Sequence, residues 1–102
     1  MNVIPEQFNR AFAEFQAFGP RRRIPIEKRW REILPDVASD EFAALKTQCK
    51  EIEAFALNLA EQVRERKISD EIAQKQFSEK YPFLTRERLG HTWSQAVYFS
   101  LK

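Results

Sequence analysis

The side chains that could carry out proton transfer or nucleophilic attack are few, because the chain has one histidine, His91, and one cysteine, Cys49. Glu87 lies four residues before His91, so a helix would place the two side chains on one face. A zinc site needs three or four suitable ligands, and a catalytic cysteine needs a base beside it in an electropositive setting. One histidine and one cysteine in separate segments meet neither requirement. We predict a structural or surface role for His91, a packing role for Cys49, and no metal or cofactor.

Two acidic pairs, in residues 39–41 and 69–71, each follow a serine. Neighbouring carboxylates can act as acid–base couples, but a serine followed by acidic residues is also typical of a helix start. The helix start accounts for both pairs without catalysis. The two glycines, Gly19 and Gly90, are isolated and cannot build a phosphate-binding loop. We therefore predict that the protein is not an enzyme and has no small-molecule substrate.

The segment 21–32 is basic, with six cationic and two anionic residues and a net excess of four positive charges. Cations beside an aromatic ring can bind phosphate groups, stack on bases or contact an anionic membrane. The alternative is a solvated linker with Trp30 packed inward beside Ile26 and Ile33. The candidate partner-binding residues of this segment are Arg21, Arg22, Arg23, Lys28, Arg29, Trp30 and Arg31.

The C-terminal segment is unusually apolar, since Val97, Tyr98, Phe99 and Leu101 leave only Ser100 polar before Lys102. A helix turns about 100° per residue, so one face cannot hold all four side chains. Either they are buried on several sides, for instance against a Phe-rich N-terminal helix, or some form an exposed contact patch. The candidate partner-binding residues here are Trp93, Tyr98 and Phe99.

Five helices are needed to position these side chains. The first begins near Pro5 and ends at Gly19-Pro20, and its apolar stripe is Phe8, Ala11, Phe12, Phe15 and Phe18. A short second helix lies between Pro25 and Pro35.

The third helix is the longest, at about 28 residues or roughly 42 Å. We expect Ser39 as its N-cap, and Arg64, Arg66 and Lys67 in its last turn. Its buried stripe is predicted to be Phe42, Leu45, Cys49, Ile52, Ala56, Leu59 and Val63.

Ser69 is predicted to cap the fourth helix, which ends at Tyr81-Pro82, and Thr85 is predicted to cap the fifth. The spacing of the fifth helix favours an inward face of Leu89, Trp93, Ala96 and Val97.

The composition supports the same fold class. The 102 residues, 43% hydrophobic and 31% charged, suit one globular domain with a core. We predict an all-α, single-domain bundle of four to five helices around one long central helix, covering residues 1–102. No stretch approaches the roughly 18 apolar residues of a membrane span. No secretory signal is visible, and a lone cysteine fits a reducing compartment, so a cytoplasmic location is expected.

The leading interpretation of function is a small, non-enzymatic protein-binding or adaptor module. It would act through the basic short helix and the aromatic C-terminal helix, on a protein partner or by self-association. The alternative is a nucleic-acid-binding regulator, with helices four and five as a loose helix-turn-helix. The residues facing the major groove would then be Arg86, Arg88, His91, Thr92 and Gln95.

Overall fold

The computed structural model describes residues 3–17 and 23–101. Within these ranges the chain forms five α-helices: α1 (Pro5–Phe15), α2 (Ile26–Ile33), α3 (Ser39–Arg64), α4 (Asp70–Lys80) and α5 (Arg86–Ser100). The predicted all-α class with one long helix is therefore confirmed. The last helical residue of α1 is Phe15, and the predicted stop at Gly19-Pro20, like Phe18, lies outside the described residues.

The chain divides into two compact units, Met1–Cys49 and Lys50–Lys102. The first unit contains α1, α2 and the beginning of α3, and the second contains the rest of α3 with α4 and α5. The single domain expected from chain length stays a prediction.

The first unit has an aromatic core. Phe12 and Trp30 are completely buried, and the Trp30 ring lies 6.3 Å from Phe15 and 5.8 Å from Phe42, measured between ring centroids. Ring pairs at such separations add to the free energy gained by burial. The other buried apolar residues of this unit are Phe8, Ala11, Leu34, Phe42, Leu45 and Cys49.

The core of the second unit lies along the end of α3 and the inner faces of α4 and α5. The ring centroid of Phe77 on α4 lies 6.4 Å from that of Phe55 and 6.5 Å from that of Trp93. The buried apolar residues are Ile52, Ala56, Leu59, Ala60, Ala73, Phe77, Leu84, Trp93 and Ala96. The predicted stripe of α3 is confirmed from Phe42 to Leu59, and Val63 is half-buried.

Two predicted caps are confirmed. Ser69 Oγ accepts a hydrogen bond from the Ile72 N–H at 3.2 Å, and Thr85 Oγ1 accepts one from the Arg88 N–H at 3.1 Å. Each cap satisfies one of the N–H groups that a helix start leaves unpaired.

The two ends of α3 differ from the prediction. Ser39 is the first helical residue rather than the cap, and its hydroxyl accepts a hydrogen bond from Arg31. The helix ends at Arg64, so Arg66 and Lys67 follow its last turn instead of belonging to it. They close a Schellman motif, in which the Arg66 N–H donates to Val63 O and the Lys67 N–H to Gln62 O. Arg66 adopts a φ of 62°, a position that glycine usually occupies.

Candidate protein-contact surface

The basic segment is only partly a surface. Arg21 and Arg22 lie outside the described residues, whereas Arg23 and Lys28 are exposed. Arg29 and Trp30 are 5% and 0% exposed, so neither is available to a partner. Their assignment to a contact surface is therefore corrected, and the cause lies in the contacts that each makes within the first unit.

Arg29 connects α2 to the end of α1. Its Nη1 donates to the Glu14 carbonyl oxygen at 2.6 Å and to the Glu14 carboxylate at 3.1 Å, and its Nε donates to Ile24 O at 3.0 Å. A buried guanidinium needs such acceptors, since burial without partners costs several kcal/mol. The Arg29 charge, which the sequence predicts to be available to a ligand, instead stabilises the contact between α1 and α2.

Trp30 has the inward position that was the alternative interpretation. Its indole N–H donates to the Ala11 carbonyl oxygen at 2.8 Å, a contact that satisfies the one polar group of the ring. Trp30 is thus a packing residue of the first unit.

The cationic groups of Arg31 and Lys46 also contact other residues of the chain. Arg31 donates to Val37 O at 2.5 Å and to Ser39 Oγ at 3.1 Å, and its guanidinium lies 4.7 Å from the Phe42 ring centroid. Lys46 pairs with Glu27. Arg23 and Lys28 are then the exposed cations of residues 23–31 that no such contact ties to the chain.

The end of α5 has the opposite character, because large apolar side chains lie in water there. The exposed fractions are 37% for Val97, 57% for Tyr98, 50% for Phe99 and 68% for Leu101. The Tyr98 and Phe99 rings contact each other edge to face, with centroids 5.6 Å apart. We call these four residues the α5 apolar end.

The predicted inward face of α5 is wrong at one position. Trp93 and Ala96 are buried as expected, but Val97 is exposed, and Thr92 and Ser100 are buried in its place. Trp93 is 7% exposed and donates its indole N–H to Asp70 Oδ1 at 3.1 Å, so it lies inside the fold rather than on a contact surface. Of the three aromatic candidates, the structure leaves Tyr98 and Phe99 at the surface.

A shallow groove of about 150 Å³ lies beside the α5 apolar end. It is lined by Glu53, Ala54 and Leu57 of α3 and by Thr92, Gln95, Ala96 and Phe99 of α5. Ala54 and Leu57 are not among the contact residues predicted from the sequence. Their spacing of three residues is typical of one helix face. They lie beside the fully buried stripe of α3, however, and that stripe dominates the apolar pattern of the helix.

The five candidate nucleic-acid residues do not share one open face. Arg86 is exposed, Arg88 and His91 are half-buried, Thr92 is 2% exposed, and Gln95 lines the groove. Burial and the nearby Arg88 lower the pKa of His91, so the imidazole is neutral at pH 7 and adds no charge for a phosphate.

The Cys49 side chain is completely buried. Across residues 3–17 and 23–101 there is no group of three or more His, Cys, Asp or Glu side chains that could hold a metal ion. Nor does that part of the chain contain a helix with the length and apolarity to cross a bilayer.

Comparisons with known proteins return no matching family model, no matching curated protein and no matching solved structure.

Proposed function

We propose that the chain is a small protein-binding module whose contact surface is the α5 apolar end. The observation that carries the proposal is the exposure of four large apolar side chains within one helical turn and its cap. Soluble proteins rarely leave contiguous apolar patches in water without use, and patches of a few hundred Å² often mark interaction sites.

The chemistry of the patch supports a protein partner. Tyr98 and Phe99 are aromatic anchors of the kind enriched at the centres of interfaces. The Tyr98 hydroxyl can remain hydrated at the rim while its ring is covered. Val97 and Leu101 extend the apolar area, and the segment 92–101 contains no formally charged side chain that a partner would have to desolvate.

The basic helix α2 is not part of the proposed contact surface. Its Arg29 side chain hydrogen-bonds to Glu14, and its Arg31 side chain hydrogen-bonds to Val37 O and Ser39 Oγ. The nucleic-acid alternative has less support, because Thr92 is buried and Gln95 faces the α3 groove. Catalysis is not part of the proposal, since the Cys49 thiol is closed to solvent. The proposed location is the cytoplasm, where the thiol of a lone cysteine remains reduced.

The test is the double variant Tyr98→Ala with Phe99→Ser, compared with the wild type in affinity capture from host cells and by mass in solution. We expect the variant to stay folded and to lose a bound protein or a larger assembly. The matched control is Ile72→Ser, which removes an equally exposed apolar side chain from α4 and should retain both. A variant that unfolds, with a monomeric wild type that binds nothing, contradicts the proposal.

A further inference from the structure

Another groove of the second unit lies between α4 and α5 and has a volume of about 420 Å³. That volume falls within the range of small-molecule sites, about 300–1,000 Å³. Its walls combine apolar surface with two cationic side chains, and they are formed by Gln74, Lys75, Ser78, Arg86, Leu89 and Gly90. The four residues of the α5 apolar end do not line it, so the two sites are separate.

Gly90 leaves open space in the α5 wall of this groove. A Cβ built on Gly90 would meet no atom of the described residues within 4 Å, so packing among them does not require so small a residue. The Phe77 and Trp93 rings, with centroids 6.5 Å apart, lie at the base of the groove, and Trp93 keeps an exposed fraction of 7%. A flat apolar group can therefore lie over Gly90 and against the half-buried Leu89.

The two cations of the lining are available to a ligand. Within the part of the chain that the structure describes, the Arg86 side chain forms no hydrogen bond or ion pair, and the neighbouring Glu87 contacts Arg88 instead. Lys75 Nζ lies 4.0 Å from Glu79 Oε1, and these side chains are 77% and 65% exposed. An ion pair between such exposed groups contributes little to stability, so Lys75 can contact another anion at little cost.

Asp70 places negative charge at one end of the groove. Its carboxylate accepts hydrogen bonds from the Trp93 indole N–H at 3.1 Å and from the Gln74 side-chain amide at 2.6 Å. Arg86 precedes Trp93 by seven residues, which is about 10 Å along a helix. The groove therefore has an acidic end beside Trp93 and a basic end beside Arg86, and its described lining residues include no carboxylate.

A groove of similar size in the first unit has a balanced lining. It has a volume of about 470 Å³ and lies between α2 and the start of α3, where Glu27 and Glu32 accompany the cations Lys28 and Arg31. The Arg31 guanidinium also donates to Ser39 Oγ at 3.1 Å. An anion in that groove would meet carboxylates, whereas an anion at the basic end of the α4–α5 groove would meet two cations.

We propose that the groove between α4 and α5 binds a small organic anion with a flat apolar body. The body lies over Gly90 and along Leu89, and the carboxylate, sulfonate or phosphate group contacts Arg86 and Lys75. A guanidinium can donate two parallel hydrogen bonds to such a group, and an ammonium adds a compact positive charge. This site is independent of the proposed protein contact, because it uses a different surface of the second unit.

The test uses naphthalene-1-sulfonate, which has a flat apolar body and one anionic group. A ligand of this size in an open groove binds weakly, with a dissociation constant on the order of 0.1–1 mM. Amide NMR spectra of the full chain locate the probe, because the sequence has two glycines, Gly19 and Gly90, and Gly90→Ala identifies the second signal. We expect the Gly90 signal to shift and saturate, and the neutral naphthalene-1-sulfonamide to bind about five times more weakly.

Substitutions in the lining then test the assigned contacts. Arg86→Gln and Lys75→Gln should each raise the dissociation constant about three- to tenfold, because each removes one charge from the basic end. Arg64→Gln, the matched control, removes an exposed cation at the end of α3 outside the groove and should leave the constant unchanged. Glu79→Gln should lower the constant, since it removes the carboxylate beside Lys75. Gly90→Leu should abolish binding while the chain stays folded, because its side chain fills open space.

Three results overturn the proposal. Equal binding of the sulfonamide would show that the anionic group is not recognised. A loss in Arg64→Gln as large as that in Arg86→Gln would mean that only the overall charge attracts the probe. Retained binding in Gly90→Leu, together with loss in Tyr98→Ala with Phe99→Ser, would place the probe on the α5 apolar end. The circular dichroism spectrum of each variant confirms that it is folded, and none of these outcomes changes the test of the proposed protein contact.

Discussion

The burial of side chains in the α2 segment and in the α5 apolar end is the opposite of what the two compositions suggest. The segment around α2 is the most basic part of the chain, yet Arg29 and Arg31 direct their charges to acceptors within the first unit. The end of α5 is among the most apolar parts, yet Tyr98 and Leu101 are more than half exposed. The charged side chains of α2 therefore contribute to the fold, whereas the apolar side chains at the end of α5 remain exposed.

The comparison is sharpest between two aromatic residues, Trp30 and Tyr98. Trp30→Ala removes a completely buried ring and its hydrogen bond to Ala11 O, and should lower the free energy of unfolding by about 3–5 kcal/mol. Tyr98→Ala should change the same free energy by no more than about 0.5 kcal/mol at low protein concentration. Urea unfolding of both variants gives the two numbers, and equal losses would erase the distinction between the two regions.

A second prediction contrasts two neighbouring cations of α2. Arg29→Ala removes the contacts of a buried guanidinium with Glu14 and should cost about 2–4 kcal/mol. Lys28→Ala removes an exposed cation and should stay within about 0.5 kcal/mol. Thermal unfolding distinguishes them, because 1 kcal/mol shifts the melting temperature of such a chain by about 4–8 °C. A loss for Lys28→Ala as large as that for Arg29→Ala would show that net charge, and not the Glu14 contact, is what matters.

The elements of the fold could be predicted because their signals are local. The stripe of α3, with Leu45 and Ile52 fully buried, follows from spacing, and the caps Ser69 and Thr85 follow from residue type. Ser39 is the first residue of α3 rather than its cap, and its hydroxyl accepts a hydrogen bond from Arg31 on another helix, a contact that no local pattern contains.

The candidate site could be predicted only in part. Apolar side chains point in several directions at the end of α5, so periodicity alone cannot show which face is buried. The sequence predicts Val97 on the inward face, whereas the structure buries Thr92 and Ser100. The unused space at Gly90 was also invisible, because an isolated helical glycine has the same one-letter signature whether it is crowded or open.

Gly90→Ala in α5 should have a smaller effect on the free energy of unfolding. The added methyl group meets no described atom within 4 Å and raises the helix propensity, so the monomer should gain about 0.5–1 kcal/mol. Ser94→Ala, at another exposed position of α5, should gain less, because serine is a better helix former than glycine. The free energy of unfolding is measured by urea denaturation at low micromolar protein concentration. A destabilised Gly90→Ala would mean that the space is already filled.

The smallest expected effect is the pH dependence of an exposed charge pair beside α2. The hydrogen bond from Lys46, with a contribution from its positive charge, lowers the pKa of Glu27 below its usual 4.5. The folded state therefore binds fewer protons than the unfolded state, so the contribution is present above about pH 4.5 and is lost as the pH falls through the folded pKa. Because the Glu27 side chain is 49% exposed, solvent screening limits this contribution to a few tenths of a kcal/mol.

Glu27→Gln removes the titrating group and isolates that contribution. The wild type should be slightly more stable than Glu27→Gln at pH 7, and the difference should disappear as the pH falls through the lowered pKa of folded Glu27. Salt at 1 M should reduce the difference at pH 7, because exposed charges are screened over about 3 Å at that ionic strength. A difference that stays constant as the pH falls and that persists in high salt would mean that Glu27 acts through packing. The charges of α2 would then contribute to the fold only where they are buried, as at Arg29.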